Sequence, residues 1–131
     1  MEYIIQTKNL DFKYSKNNKI LKNLSIHVPK GSIYGFLGPN GAGKSTTMRL
    51  LTGIIPDSSN SILLFDKPIK SQIPAVFKKV GALVESPALY LHLSGYDNLK
   101  YIALLRKVPL SRIDEVLSLV ELTHAKKQKA K

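Results

Sequence analysis

The sequence predicts an α/β fold, and three observations lead to that class. Strand-like segments lie between Tyr3 and Val28, and a short apolar run of buried-strand type, Ile33–Leu37, follows them. A glycine-rich loop then joins this run to a helical pattern that ends at Gly53. Two further helical patterns begin at Ser94 and near Ser111. We therefore expect a sheet beside a strand, loop and helix unit.

Length and composition indicate a soluble globular domain. The chain has 131 residues, of which 44% are hydrophobic and 22% charged, and it has no cysteine. A disulfide framework and a thiolate metal site are thereby excluded. No apolar run approaches the roughly 18 residues of a membrane span, and the opening Met1-Glu2 does not begin a signal peptide. These features predict a cytosolic location.

The net charge of +11 suits an anionic partner. A lysine-rich solvated surface is the preferred interpretation, and nucleic-acid binding is not expected, because no aromatic residues interleave with the basic cluster. That cluster consists of Lys126, Lys127, Lys129 and Lys131.

The N-terminal segments predict an antiparallel sheet. Tyr3–Thr7 and Leu10–Tyr14 are typical either of a strand pair or of one long bent strand. Leu24–Val28 alternates apolar and polar residues, which is the period of a half-buried strand.

The loop that follows Leu37 matches the pattern G-x-x-x-x-G-K-[ST] of a phosphate-binding loop. Its glycines let successive backbone N–H groups point at one anion, at the start of a helix whose dipole favours negative charge. Lys44 is expected at the β- and γ-phosphates, the Ser45 hydroxyl at Mg²⁺ and Thr46 at the α-phosphate. The predicted nucleotide-binding residues of the loop are Gly38, Pro39, Asn40, Gly41, Ala42, Gly43, Lys44, Ser45 and Thr46.

Further elements follow this unit. Ile62–Phe65 is predicted as a strand, Gln72–Lys79 as a short helical turn and Val80–Val84 as a buried strand that delivers Glu85 at its end. Capping boxes at Ser94 and Ser111 open two helices. The residues expected on their buried faces are Leu99, Ile102, Ala103, Leu105, Ile113, Val116, Leu117 and Val120. The histidines, His27, His92 and His124, have no ligand-spaced partner and are expected to have surface or packing roles.

Tyr14 together with Lys30–Thr46 resembles the opening of the ATP-binding subunit of an ABC transporter, and the resemblance extends over essentially the whole chain. It implies a P-loop NTPase core, here incomplete, with an antiparallel β subdomain and the start of a helical subdomain. The core and β subdomain would occupy residues 1–85. The helical subdomain would begin in residues 86–131, with the chain ending before the signature motif of the family.

The resemblance also implies roles for two residues outside the loop. Tyr14 would stack on the adenine ring. Glu85 stands where most members have glutamine, and it would reach Mg²⁺ and the attacking water. Segment 81–90 resembles the branch that handles bacitracin and lantibiotic peptides, in which glutamate at this place is usual. Lys44 and Glu85 are thus the implied catalytic residues, Ser45 and Glu85 the implied Mg²⁺ ligands, and ATP and Mg²⁺ the implied cofactors.

Two short stretches imitate motifs of the resembled family. Ile62–Asp66 has the shape of its metal-binding Walker B strand, but Lys67 follows where a glutamate would stand. Asp66 is interpreted as a turn residue. Asp66 and Asn60 occupy places where the family usually has glycine, and both residue types tolerate a left-handed backbone. Leu93-Ser94-Gly95 resembles the start of the signature motif but comes too early, so it is interpreted as a helix cap.

The resemblance implies membrane-spanning permease subunits as partners, a dimer of nucleotide-binding domains, and a peripheral position at the cytoplasmic face of the membrane. The implied function is ATP binding as the N-terminal portion of a subunit that couples hydrolysis to transport of peptide antibiotics or drugs. Because the signature, Walker B, the catalytic glutamate and the switch histidine are not in the sequence, the chain is expected to bind ATP but hardly hydrolyse it. The alternative is a non-catalytic remnant, or a split-domain fragment that needs a complementing chain.

Overall fold

A long β-hairpin opens the chain in the computed structural model, which describes residues 2–130. Strand β1 (Tyr3–Ser15) pairs antiparallel with strand β2 (Asn18–Pro29). The two segments predicted within β1 therefore form one irregular strand, which is one of the two alternatives that the sequence left open. Its register shifts between Thr7 and Leu10, where Asn9 has a left-handed φ of 47°.

Two short strands complete an antiparallel sheet with the order β2-β1-β3-β4. Strand β3 (Ile62–Leu64) pairs with β1, and β4 (Lys67–Pro68) pairs with β3. Phe65 and Asp66 join them with φ values of 52° and 61°, which are typical of a type I′ hairpin turn. The interpretation of Asp66 as a turn residue is confirmed, and so is the left-handed backbone at Asn60, with φ of 55°.

Helix α1 (Lys44–Leu51) packs its buried Leu50 into an apolar core shared with the sheet. The helix ends at Leu51 with Thr52 as its C-cap, and Gly53, with φ of 72°, lies at the C′ position that the sequence predicted. A Cβ there would lie 2.4 Å from the ring of Phe77, so no other residue fits without displacement. The buried members of this core are Leu10, Leu21, Leu50, Ile62, Leu64, Ile69 and Val76.

The helical turn predicted for Gln72–Lys79 is only partly correct. Helix α2 (Ile69–Gln72) ends where that turn was expected to begin, and a 3-10 helix spans Ala75–Lys79. Ile73, with ψ of 136°, separates them. A residue before proline is sterically pushed out of the helical region, which accounts for the break before Pro74.

Two predicted buried strands are wrong. Ile33–Leu37 and Val80–Val84 are irregular, and neither belongs to the sheet that the described residues form. Ile33 and Leu37 are fully exposed, and Leu83 is largely exposed. A strand persists where neighbours satisfy its N–H and C=O groups, and residues 2–130 supply no such neighbour to either run.

The chain divides into two compact units, Met1–Glu85 and Ser86–Lys131. Met1 and Lys131, the last lysine of the predicted basic cluster, lie outside the described residues. The second unit contains helices α3 (Gly95–Arg106) and α4 (Ser111–Leu119) and a 3-10 helix, Thr123–Ala125.

The core of the second unit is smaller than the sequence predicts. Its buried members are Ala103, Ile113 and Leu117, against which Tyr96 and Leu99 pack. The other predicted core residues are less buried: Ile102, Leu105 and Val120 are exposed, and Val116 is intermediate. The periodicity correctly predicted which face of each helix is apolar. Within residues 2–130, however, neighbouring side chains cover only part of that face.

The two predicted capping boxes have different outcomes. Ser94 caps α3, because its Oγ accepts a hydrogen bond from the Asp97 N–H at 3.0 Å. The interpretation of Leu93-Ser94-Gly95 as a cap is thereby confirmed. At α4 the N-cap residue is Leu110, which provides no side-chain cap, so the predicted box at Ser111 is wrong. Ser111 already lies inside the helix, one position too late to cap it.

The histidines occupy separate places. His27 lies in β2 with its ring edge-to-face against Tyr3, the centroids 5.2 Å apart, as expected for a packing role. His92 lies in a loop and His124 in the 3-10 helix. No helix within residues 2–130 has the length and apolar character that crossing a membrane requires.

Candidate functional site

The predicted phosphate-binding loop leads directly into α1. Gly41 and Gly43 have φ values of 84° and 92°, and Gly43 is the N-cap of the helix. No side chain caps the first turn, so its N–H groups have no side-chain acceptor. Such groups, at the positive end of the helix dipole, are suited to an anion.

Lys44 turns back over the loop in this arrangement. Its ammonium group donates hydrogen bonds to the carbonyl oxygen of Gly38 and, at 2.8 Å, to that of Pro39. The loop thus wraps around its own lysine. A cavity of 310 Å³ adjoins this turn, lined by Ile20, Asn40, Gly41, Gly43, Lys44, Ser45 and Thr46. Six of these seven lining residues belong to the nine that the sequence predicted for the loop.

Gly43 is fixed by packing as well as by backbone geometry. A Cβ at this position would lie 2.5 Å from Cδ2 of Leu21, a core residue of β2. Gly41 has the same left-handed geometry, but nothing lies within 4 Å of its would-be Cβ. The hairpin therefore sets how closely the loop approaches the sheet.

Tyr14, near the end of β1, contacts the first turn of α1. Its hydroxyl lies 3.5 Å from Oγ1 of Thr46, and its ring packs edge-to-face on Phe12 with centroids 4.9 Å apart. Hydrogen bonds with Thr46 and with the Arg49 guanidinium lower the pKa of the Tyr14 hydroxyl. The structure thus brings Tyr14 to the loop while leaving its ring 56% exposed.

Glu85 contacts α1 at a different residue. Its carboxylate forms an ion pair with the Arg49 guanidinium and makes no hydrogen bond with Ser45. Ser45 is exposed at the first turn of the helix. The two predicted metal ligands are therefore not joined in this structure, although their oxygens are of the kind that Mg²⁺ prefers. The described residues contain no cluster of three His, Cys, Asp or Glu side chains that could hold a metal.

Arg49 is a site residue that the sequence reasoning missed. Hydrogen bonding with Tyr14 and the charge of Glu85 raise its pKa. A sequence signal was available, because Arg49 follows Ser45 by four residues and such residues share one face of a helix. The other acidic candidate, Asp66, lies in the hairpin turn, where its carboxylate accepts a hydrogen bond from the Gln6 side chain at 2.9 Å.

Comparisons with known proteins identify the family of the chain. A family profile described as ABC transporter matches residues 21–131. The bacitracin transport ATP-binding protein BcrA of Enterococcus faecalis is 39% identical over 98% of this chain, which spans 42% of that protein. The lantibiotic transport ATP-binding protein SrtF of Streptococcus pyogenes is 37% identical over 98% of the chain, which spans 54% of it.

A solved structure supports the same assignment of fold. It is cbiO1 from Clostridium perfringens, described as part of the ABC transporter complex cbiONQ. It has 28% identity and a TM-score of 0.82 over 98% of this chain and 55% of its own. The predicted α/β class, a partial P-loop NTPase fold with an antiparallel sheet, is confirmed. The chain spans about half the length of the relatives that it matches, and it belongs to the ABC transporter family of ATP-binding proteins.

Proposed function

We propose that this chain binds ATP together with Mg²⁺ through the Gly38–Thr46 loop. The observation that carries the proposal is the start of α1, where uncapped N–H groups, Lys44 and Ser45 meet beside a cavity. The loop N–H groups would hold the phosphates, and Lys44 would exchange the carbonyl oxygens of Gly38 and Pro39 for phosphate oxygens. The exposed ring of Tyr14 would stack on the base.

Mg²⁺, when bound, would neutralise charge on the phosphate oxygens. The Ser45 hydroxyl would supply one oxygen ligand from the first turn of α1. Glu85 would supply a second if its carboxylate left Arg49. A carboxylate and a hydroxyl, completed by phosphate oxygens and water, form the donor set that Mg²⁺ commonly takes in nucleotide sites.

We propose further that the chain serves as the ATP-binding part of a transporter at the cytoplasmic face of a membrane. Permease subunits are the proposed partners, and nucleotide-binding domains would act in pairs. Peptide antibiotics are the proposed substrate class, because the relatives named above are a bacitracin and a lantibiotic transport protein. The exposed apolar side chains of α3, among them Ile102, Leu104 and Leu105, supply a surface suited to a protein partner.

Slow turnover by this chain alone belongs to the same proposal. Phosphoryl transfer needs a positioned water and charge stabilisation around the transferred group. Lys44, Ser45 and Glu85 provide part of this set, and the sequence has no apolar strand ending in Asp-Glu that would complete it. We expect turnover far below the ~1–100 s⁻¹ of ordinary phosphoryl-transfer enzymes.

The test measures ATP binding by the 131-residue chain with calorimetry, in Mg²⁺ and in EDTA. Lys44→Ala should weaken binding at least tenfold. Lys30→Ala is the matched control, since Lys30 is also an exposed lysine but pairs with Glu2. Equal binding by the chain and its Lys44→Ala variant would refute the proposal, and turnover near ~10 s⁻¹ that Lys44→Ala abolishes would refute the slow-turnover part.

A second candidate function is a nucleotide-binding fragment that needs a complementing chain. The exposure of Ile33, Leu37 and Leu83 favours it, because the two apolar runs that contain them offer unpaired backbone to another polypeptide. Strong binding of a hydrophobic dye and concentration-dependent self-association would support this candidate. A monomer that binds ATP without binding the dye would contradict it.

A further inference from the structure

Two neighbours act on the guanidinium of Arg49 in the last turn of α1. It forms the ion pair with Glu85, and the Tyr14 hydroxyl, which lies beside Thr46, raises its pKa. We infer that Arg49 is a positioning residue that holds the Glu85 carboxylate in the nucleotide-free chain, so that a metal ion at Ser45 must compete with it for Glu85. The inference rests on the proposed function.

The geometry of α1 supports this competition. Ser45 and Arg49 are separated by four residues, so their side chains leave the same face of the helix about one turn apart. A carboxylate paired with Arg49 therefore lies along the face that also presents the Ser45 hydroxyl.

The backbone at Glu85 marks the residue as specially placed. Its φ is 68°, in the left-handed region that glycine normally occupies. Non-glycine residues are uncommon there and stay because surrounding contacts hold them, often at functional positions. The ion pair with Arg49 joins Glu85 to the helix that starts at the predicted phosphate-binding loop.

The exposure of the pair indicates how strongly it competes. The side chains of Arg49 and Glu85 are 36% and 58% exposed. Ion pairs in such settings are weak because water screens them, and they change equilibria by about two- to fivefold. A divalent ion can displace a pair of this strength. The pair would still reduce, by a measurable factor, the gain in ATP affinity that Mg²⁺ provides.

The test uses the ratio of ATP dissociation constants in EDTA and in Mg²⁺. Release of Glu85 acts on the Mg²⁺ value alone. Loss of a nearby positive charge also raises the ratio, because it weakens binding of ATP⁴⁻ in EDTA more than binding of the less charged Mg–ATP²⁻, and the Glu85→Gln background separates this effect from release of Glu85. We expect Arg49→Gln to raise the ratio about two- to fivefold and Arg49→Lys to keep it near that of the unaltered chain. Arg112→Gln is the matched control, because it breaks another exposed Arg–Glu pair, with Glu115, and should leave the ratio unchanged.

Glu85→Gln is combined with Arg49→Gln in a double-mutant cycle. In the Glu85→Gln background, Arg49→Gln should raise the ratio through the loss of charge alone, and so by less than in the unaltered chain. In the nucleotide-free chain, Glu85→Gln should shift the NMR signal of the Arg49 guanidinium, which reports the pair without any ligand.

An unchanged or lowered ratio in Arg49→Gln, or an equal rise in the Glu85→Gln background, would overturn the inference while leaving ATP binding intact. Absence of any ATP binding by the unaltered chain would instead refute the proposed function, and the inference with it.

Discussion

The hydroxyl of Tyr14 lies 3.5 Å from the side-chain oxygen of Thr46, which sets an exposed aromatic ring of β1 beside the first turn of α1. The ring and the hydroxyl can therefore be tested separately. If the ring stacks on the base, Tyr14→Phe should bind ATP within about twofold of the unaltered chain, whereas Tyr14→Ala should bind at least ~5-fold more weakly, since a stacked base contributes ~1–3 kcal/mol. Calorimetric titration measures the ATP affinity of both variants. Equal losses of affinity in the two variants would show that the hydroxyl, and not the ring, is responsible.

Gly43→Ala should destabilise the first unit strongly. The backbone at residue 43 has a left-handed φ, which strains alanine, and the Cβ of alanine would lie 2.5 Å from the Leu21 side chain. Backbone strain therefore adds to overpacking of the core. We expect a loss of about 2–4 kcal/mol in the free energy of unfolding. Gly41→Ala is the control, because Gly41 also has a positive φ but no atom lies within 4 Å of the added Cβ. It should lower the free energy of unfolding by only about 1–2 kcal/mol. Urea unfolding measures both, and identical losses would contradict the role of Leu21.

Ser94→Ala should weaken helix α3 at its start. The substitution removes the cap of the Asp97 N–H and is expected to cost about 1 kcal/mol. Ser111→Ala should be nearly neutral, although the two serines open the same sequence pattern, because Leu110 is the N-cap of α4. Thermal unfolding of the two variants tests this, and a larger loss in Ser111→Ala would contradict the cap assignment.

Asp11 should make the stability of the hairpin depend on pH. The Asn23 backbone N–H, at 2.8 Å, and the Lys19 ammonium lower the pKa of this carboxyl below 3.8. The folded state therefore favours the carboxylate. Its stabilisation is fully present above the unfolded pKa and is lost as the pH falls through the lower folded pKa. Unfolding midpoints between neutral pH and pH ~2 should fall more steeply in the unaltered chain than in Asp11→Asn.

The same experiment separates the two partners of Asp11. Because the backbone hydrogen bond from Asn23 is the largest single cause of the shift, Lys19→Gln should retain a measurable part of the pH dependence. Its disappearance in Lys19→Gln would show that the ion pair dominates.

Local patterns predicted the elements whose geometry depends on neighbouring residues. The glycines before Lys44, the turn at Asp66, the helix end at Gly53 and the cap at Ser94 all lie where the sequence indicates. Each of these features is fixed by backbone freedom or by a hydrogen bond within a few residues. For the same reason the glycine-rich loop before α1 could be located before any fold was known.

Features that depend on distant partners could not be predicted in this way. Ile33–Leu37 and Val80–Val84 have the composition of buried strands, but a strand exists only where another strand pairs with it. Likewise, periodicity marked Ile102 and Leu105 as core residues, although burial depends on what packs against α3. An apolar sequence pattern indicates which side chains of a segment could be buried. It does not indicate whether another segment packs against them.

By itself the sequence determined the α/β class, the phosphate-binding loop and its family, because these depend on residue types at fixed short spacings. Only the tertiary structure decided that Glu85 pairs with Arg49 and that Tyr14 lies beside Thr46, since these residues are brought together by the packing of β1, α1 and the segment before Ser86. Contacts between such distant residues follow from packing and leave no local pattern. The pairing of Glu85 with Arg49 is consequently a property of the folded chain.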